Sequence, residues 1–458
     1  MHWTRTQISI MAVVAVTAFM STFLISTINV ALPAIEKSFD LSAVQLSWVL
    51  TAFLLSTAMF LLPVGRWGDL SGIRRLFKTG MVIFTISSLL CAFATSGFWL
   101  IVFRFIQGIG AAFASTTGPA ILVSAFLPKY RGHVIGISVS AVYLGLAFGP
   151  FAGGLLTQYV GWRSIFLVST VLGVFATVIS FAFLGKDEAY KGASVKHDLS
   201  GTFLYMAGLV LMVYGSSRIP GTSGWLMLFG GALMLVFFWM YEKRVAFPVF
   251  NTELFTQNRL FAFSNLAALV NYSATFAIVF LLSLFLQKIR GLSPLDAGSI
   301  LIAQPVVMAV FSPLAGKLSD RIQPRYIATA GMAMCSLGLT AFAFITASTP
   351  VWVIIAILVW VGFGFALFSS PNMSTIMSSV DKSHLGLASG SAATMRVVGQ
   401  IVSMTIATLI FALMFGSETV DAVPDHTFQK AVQLGFICFS IISLFGIYFS
   451  YQRGVIKR

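Results

Sequence analysis

Charge is what this chain lacks. Only 9% of its 458 residues are Asp, Glu, Lys or Arg, and acids are the scarcer sign, 14 against 28 bases. A soluble domain carries about 25% charged residues, so a water-facing surface over most of the chain is excluded. Histidines number five and cysteines three, and no His or Cys spacing fits a metal site. Cys91, Cys335 and Cys438 each lie within an apolar run, where a thiol packs as a small hydrophobe. Also missing are a nucleophile–base set, a phosphate-cradling glycine loop and any loop long enough to hold a soluble signalling domain. No catalytic residue, metal or bound cofactor is expected, and the chain does not read as an enzyme.

What is present is long apolar runs, with 58% of residues hydrophobic. A helix needs about 20 such residues to cross a bilayer of about 30 Å. About fourteen runs qualify, near 8–32, 44–64, 76–96, 99–126, 133–156, 163–184, 200–217, 223–241, 260–287, 295–315, 326–347, 351–373, 385–415 and 430–452. The first is too long for a signal-peptide core and is followed by no small-residue cleavage site, so it reads as a membrane helix. Helices satisfy every backbone polar group within the segment, and the alternation of barrel strands is absent. The fold class expected is an all-α integral membrane protein whose surroundings are the lipid bilayer.

Basic residues set the expected orientation. With both termini cytoplasmic, twenty of the 28 Lys and Arg fall on the cytoplasmic side, six outside, and Arg104 and Arg396 within spans. That bias accounts for the net charge of +14 without a nucleic-acid partner. The chain also repeats itself. Gly65-Arg66-Trp67-Gly68-Asp69, followed by Arg74 and Arg75, comes after the second span, and Gly316-Lys317-Leu318-Ser319-Asp320-Arg321 comes after the tenth. Two related halves of six helices follow, 8–184 and 260–452, with two further helices in 185–259. Parallel repeats of this kind place a binding site at the interface between halves.

Several segments carry a resemblance. Gly65 to Arg75 looks like a cytoplasmic loop motif, in which glycines allow a tight turn and Asp69 pairs with arginines or a helix N-terminus. Arg104-Phe105-Ile106-Gln107-Gly108-Ile109-Gly110 has the form R-x-x-Q-G-x-G, and Gly145, Gly149, Pro150, Gly153 and Gly154 form a small-residue stripe on the fifth helix. Small residues so spaced let helices approach closely. Together with Asn29-Val30-Ala31-Leu32-Pro33 and the stretch around Arg396 and Gly399, these resemble the major facilitator superfamily, specifically its fourteen-helix drug:proton antiporter branch. The resemblance implies a major facilitator fold, two six-helix bundles plus two central helices. It also implies a multi-pass protein of the cell (inner) membrane that works as a monomer. The loop motifs would gate the conformational change, through Gly65, Asp69, Arg74, Arg75, Gly316, Asp320 and Arg321. Arg104 would serve proton handling or substrate binding, its ordinary alternative being a structural arginine satisfied by backbone carbonyls.

The sequence departs from that branch at Leu24, where the family carries an aspartate. All 14 acidic residues fall in loops or at helix ends on these boundaries. Buried carboxylates are the usual proton carriers, and arginine does not deprotonate. A proton gradient, if used, must therefore act through Asp69, Asp296, Asp320, Glu36 or Asp40. A pathway with embedded cations alone disfavours cationic substrates and suits neutral, zwitterionic or anionic amphiphiles. Ser26, Thr27, Asn29, Gln107, Tyr143, Asn271, Tyr272 and Gln304 complete the candidate pocket residues with Arg104 and Arg396. The function expected is export of lipophilic or amphipathic small molecules by alternating access, of the multidrug efflux type. The alternatives are a carrier of a specific anionic metabolite or lipid, and a non-transporting membrane sensor.

Overall fold

A computed structural model of the chain describes residues 3–126, 131–185, 198–245, 248–250, 252–319, 321–380 and 385–455. Among these, every regular element is a helix, and the one extended pairing is an isolated bridge between Ser42 and Thr419. The first six helices are α1 (Arg5–Phe39), α2 (Ala43–Ser71), α3 (Ile73–Ala92), α4 (Gly97–Ala125), α5 (Arg131–Tyr159) and α6 (Arg163–Phe183). A hairpin follows, α7 (Leu199–Ser216) and α8 (Thr222–Glu242), then the short α9 (Thr252–Gln257). The remainder is α10 (Arg259–Thr275), α11 (Ala277–Lys288), α12 (Pro294–Leu301), α13 (Ala303–Ser319), α14 (Pro324–Phe342), α15 (Val351–Ser378), α16 (Leu385–Phe415) and α17 (Asp425–Gln452).

Local chemistry sets the boundaries. Thr4 and Gln7 form a reciprocal cap that starts α1, and Asp40 in the left-handed region, φ 52°, stops it. The helix is therefore longer than the 8–32 expected, and it carries Glu36 in its last turn. Two expected spans are broken. The N–H of Ala277 donates to Ser403 Oγ at 3.0 Å, which separates α10 from α11 at Phe276. Pro305 has no N–H to donate to Leu301, and α12 gives way to α13 at Ile302. Between α2 and α3, Gly72 takes φ 90°, a value that favours glycine.

Among the described residues, thirteen helical segments are long and apolar enough to cross a membrane, with α10–α11 and α12–α13 each counting as one. The expected span 326–347 corresponds to α14, which falls outside that set because Arg325, Tyr326 and a run of small residues lower its hydropathy.

The helix neighbours repeat. α1 packs on α5, α2 and α3 on α4, and α3 on α6; correspondingly α10 packs on α16, α13 and α14 on α15, and α14 on α17. Across the two sets, α5 meets α12 while α16 meets α2, a reciprocal exchange. The α7–α8 hairpin leans on α2 and α16, with the Tyr205 hydroxyl donating to Ala58 O at 3.0 Å. Apolar contact alone drives little association between helices in lipid. Close backbone approach and interhelical hydrogen bonds therefore carry much of this packing.

Candidate functional site

The small-residue stripe of α5 makes two interfaces. A methyl at Gly149 would lie 2.5 Å from Ser26 Cβ, and at Gly145 and Gly153 it would strike the α1 backbone at Phe19 and Thr27. Gly154 turns the other way, onto Pro294 and Leu295 of α12, and Gly298 of α12 sits on the Pro150 carbonyl. α5 is thus held between α1 and α12. Pro150 removes the donor for Leu146 O, and Ser26 Oγ from α1 donates to that oxygen at 3.2 Å.

Arg104 is fully buried, with partners on α2 and α4 and, through Gln107, on α3. Its Nε donates to Val49 O at 2.9 Å and its Nη1 to Gln107 Oε1 at 2.6 Å, while Gln107 Nε2 donates to Ser88 Oγ at 2.7 Å. The guanidinium lies 4.4 Å from the Phe53 ring centre. One partner is a backbone carbonyl and one a side-chain amide, Arg104 and Gln107 standing one helical turn apart, while Nη2 is buried without a hydrogen-bond partner.

Arg396 is placed differently. It stands with Tyr143 and Ser369 around the Tyr272 hydroxyl, half-buried on α16. Tyr143 Oη and Ser369 Oγ are 3.3 Å apart, and the Tyr272 ring meets Phe365 edge-on at 5.5 Å. Four helices, α5, α10, α15 and α16, contribute to this group. The adjacent Asn271 is fully buried with no protein partner for either amide atom, and Gln304 Oε1 of α13 is also buried without one. Asn29 is turned back onto its own helix, its Nδ2 donating to Ile25 O at 2.9 Å, and Thr27 likewise to Phe23 O at 2.5 Å. The sequence-selected residues therefore divide. Tyr143, Tyr272 and Arg396 come together, Arg104 and Gln107 form a separate buried hydrogen-bonded group with Ser88, and Ser26, Thr27 and Asn29 bond within α1 or to α5.

One end of the molecule is tied shut across the two helix sets. Ser283 Oγ donates to Asn29 O at 2.7 Å, Gln287 Nε2 to Val30 O at 2.9 Å, and Ser47 Oγ and Thr408 Oγ1 are 2.8 Å apart. Ala43 N donates to Glu418 O at 2.9 Å beside the Ser42–Thr419 bridge. Glu36, 3% exposed, accepts from Asp421 N at 3.1 Å. Lys37 pairs with Asp421 and Lys288 with Asp425, each at 3.5 Å.

Of the two loop motifs, Gly65 lies against Thr116 of α4, and Gly316 against Ser370 of α15, the corresponding helix. Arg74, Arg75 and Arg321 are engaged rather than free. Asp320 and the side chain of Asp69 lie outside the described residues.

Among the described residues, sequence reasoning missed four buried charges. Arg453, expected among the terminal cytoplasmic bases, is 1% exposed and donates to Asn372 Oδ1 and Pro324 O, both at 2.7 Å. Glu36, Asp198 and Glu242 are buried too. The last two meet beside Gly201, where a methyl would lie 2.3 Å from an oxygen of each. Embedded charge is therefore not confined to Arg104 and Arg396. The buried acids nonetheless sit at helix ends, as the distribution along the sequence indicated. Charges so close to predicted span ends carry no signal that separates a buried from a solvated side chain.

The chain is similar to known proteins over most of its length. The riboflavin transporter RibZ of Clostridioides difficile is 31% identical over 413 residues, covering 89% of this chain and 88% of the relative. The multidrug resistance protein Stp of Mycobacterium tuberculosis is 30% identical over 92% of this chain and 80% of its own. The methylenomycin A resistance protein of Bacillus subtilis is 30% identical over 89% and 88%. In fold, a bacterial homologue of the human lysosomal transporter Spinster, captured inward-facing and occupied, superposes with a TM-score of 0.71 at 15% identity, covering 99% of this chain and 97% of that one. A D-xylose–proton symporter gives 0.67 at 13% identity, with 97% of each chain covered. Residues 14–404 match the model of the Major Facilitator Superfamily, and the chain belongs to that superfamily of membrane transporters.

Proposed function

We propose that this transporter exports lipophilic or amphipathic small molecules by alternating access, taking neutral, zwitterionic or anionic compounds in preference to cations. The observation that carries this reading is the Tyr143–Ser369–Tyr272–Arg396 group, which brings one cation and three hydroxyls together from helices on both sides of the molecule. A carboxylate that would attract cationic drugs has no counterpart in it. On this reading the units are 8–184 and 260–452, each a six-helix bundle, with 185–259 between them and α14 completing fourteen crossings. Both termini face the cytoplasm of the cell membrane, and the working unit is a monomer. Export fits relatives described as multidrug resistance and methylenomycin A resistance proteins.

A second reading, carriage of one specific metabolite, is favoured by the similarity to a riboflavin transporter. An uncharged, hydrogen-bonding substrate of that kind suits the tyrosine and serine hydroxyls as well as an amphipathic anion does. Uptake into inverted vesicles separates the readings. An anionic dye, a cationic dye and riboflavin are compared with and without a pH gradient. The first reading expects the anionic dye to be taken up over the cationic one. Selective uptake of the cation would sink it, and uptake of riboflavin alone would install the second.

A further inference from the structure

We propose that Glu36 is a proton site that ties closure of one end of the transporter to proton uptake: the seal shuts over a neutral Glu36 and opens as it ionises. This rests on the alternating-access reading above and supplies it with a coupling or regulating ion.

Glu36 occupies the last turn of α1, and what buries it is the far side of the molecule. The 416–424 segment between α16 and α17 lies over it, with the Asp421 N–H donating to its carboxylate at 3.1 Å and the Val420 N–H facing the same group. The segment is also held to the start of α2, just after the turn that ends α1, by the Ser42–Thr419 bridge and the bond from Ala43 N to Glu418 O. Opening this end pulls that segment away and puts Glu36 in water. Its environment therefore differs between the two states more than that of any acid at this end that stays exposed in both.

Charge balance sets the sign. From α1, Lys37 is paired with Asp421, and Asp40 is exposed at the helix stop. From α11, Lys288 donates to Asp421 O at 3.1 Å and pairs with Asp425 of α17. The neighbouring His426 contacts Thr427. From the segment itself, Glu418 is exposed. From α6, Arg163 lies over the Phe39 ring and donates to Ala94 O. The adjoining turn of α2 offers only the uncharged Ser42 and Gln45. Both lysines nearest Glu36 already answer a carboxylate, so an ionised Glu36 is a third anion against two cations, and it is buried. Taking a carboxylate out of water costs several kcal/mol, which one or two amide donors return only in part. The closed state therefore binds the proton more tightly than the open state, and by linkage acid favours closure.

The test is a distance measurement between spin labels at Tyr159→Cys and Phe344→Cys. Both positions are exposed at this end on opposite sides of the seal. The labels are placed in full-length protein with Cys91, Cys335 and Cys438 replaced by alanine. The short, closed distance should gain population as pH falls from 8 to 5, by no more than about tenfold in the closed-to-open ratio per pH unit, the limit for one proton. Glu36→Gln, neutral at every pH, should hold the closed distance without pH dependence. Where Gln does not fold, Glu36→Ala should give the same flat response. Asp421→Asn keeps the backbone donor and should retain the transition. A pH response that survives in both neutral Glu36 variants, or one that vanishes only in Asp421→Asn, overturns the proposal. So does closure that grows with rising pH. A flat wild-type response in protein that still transports sinks the proton site alone. A distance that never changes, with or without substrate, sinks alternating access at this end.

Discussion

The hydroxyl of Ser283 on α11 donates to the backbone oxygen of Asn29 on α1 at 2.7 Å. That oxygen is the one Pro33, four residues on, cannot serve, because proline has no N–H. The same arrangement recurs where Ser26 serves Leu146 O four residues before Pro150. Prolines inside the membrane helices thus create acceptors that helices of another layer fill. In the first case the donor comes from across the molecule, so under the alternating access proposed above the bond exists only while this end is closed.

Ser283→Ala should therefore weaken closure without harming either helix set. An unanswered buried carbonyl costs about 1–3 kcal/mol. The open fraction at this end should rise several-fold, read by labelling of an engineered cysteine at Val30, with expression unchanged. Unchanged labelling would show that Asn29 O finds another donor.

Arg104→Ala tests the separation of the two arginines. The substitution strips Val49 O and Gln107 Oε1 of a charged donor, worth about 1.5–3 kcal/mol for each such bond. Thermal unfolding should fall clearly, while the KM of the protein that folds stays near wild type. Arg104→Lys should rescue it only in part, since one ammonium lacks the planar fork that reaches both acceptors. A large KM change with normal stability would move Arg104 into the substrate path.

Arg396→Gln and Tyr272→Phe should behave in the opposite way. Neither residue is a packing pin of the kind Arg104 is, so folding should persist. Uptake of an anionic probe should fall by roughly tenfold, about 1.4 kcal/mol for loss of one charged contact, and a neutral probe should be less affected. Equal loss for all probes would make the group structural.

How much of this was legible in the sequence follows from where the signals sit. The membrane helices announce themselves, because an apolar run of about 20 residues in a poorly charged chain has few other uses. Two breaks did not. Pro305 is visible in sequence, yet Pro33, Pro63, Pro119, Pro150, Pro313 and Pro371 lie within continuous helices, so proline alone does not decide. The break at Phe276 goes with the bond from Ala277 N to Ser403, 126 positions further along the chain. Arg104 and Arg396 look alike as single cations in apolar runs, and only packing separates the pinned one from the one beside Tyr272. Glu36 and Arg453 lie near span ends, where the sequence cannot say whether another segment covers them.

Arg453 gives the last prediction. It joins the end of α17 to Asn372 of α15 and to Pro324, the first residue of α14. Pro324 lies three residues after Arg321, the end of the second copy of the loop motif, so the guanidinium ties the start of α14 just beyond that motif to α15 and α17. Asn372 in turn donates to Ser264 O of α10 at 3.0 Å, which extends the chain of contacts to a fourth helix. Arg453→Ala leaves Asn372 Oδ1 and Pro324 O buried and unanswered, a cost of roughly 3–6 kcal/mol by the same reasoning as for Arg104. Removing the residues after Gln452 should do the same, although every one of them falls beyond the last predicted span. Thermal unfolding of the two variants should drop together. Asn372→Asp, which keeps an acceptor for the guanidinium but gives up the donor to Ser264 O, should retain the tie to α17 and lose less. A truncation before Arg453 that unfolds at the wild-type temperature would show that the arginine is carried by the fold rather than holding it.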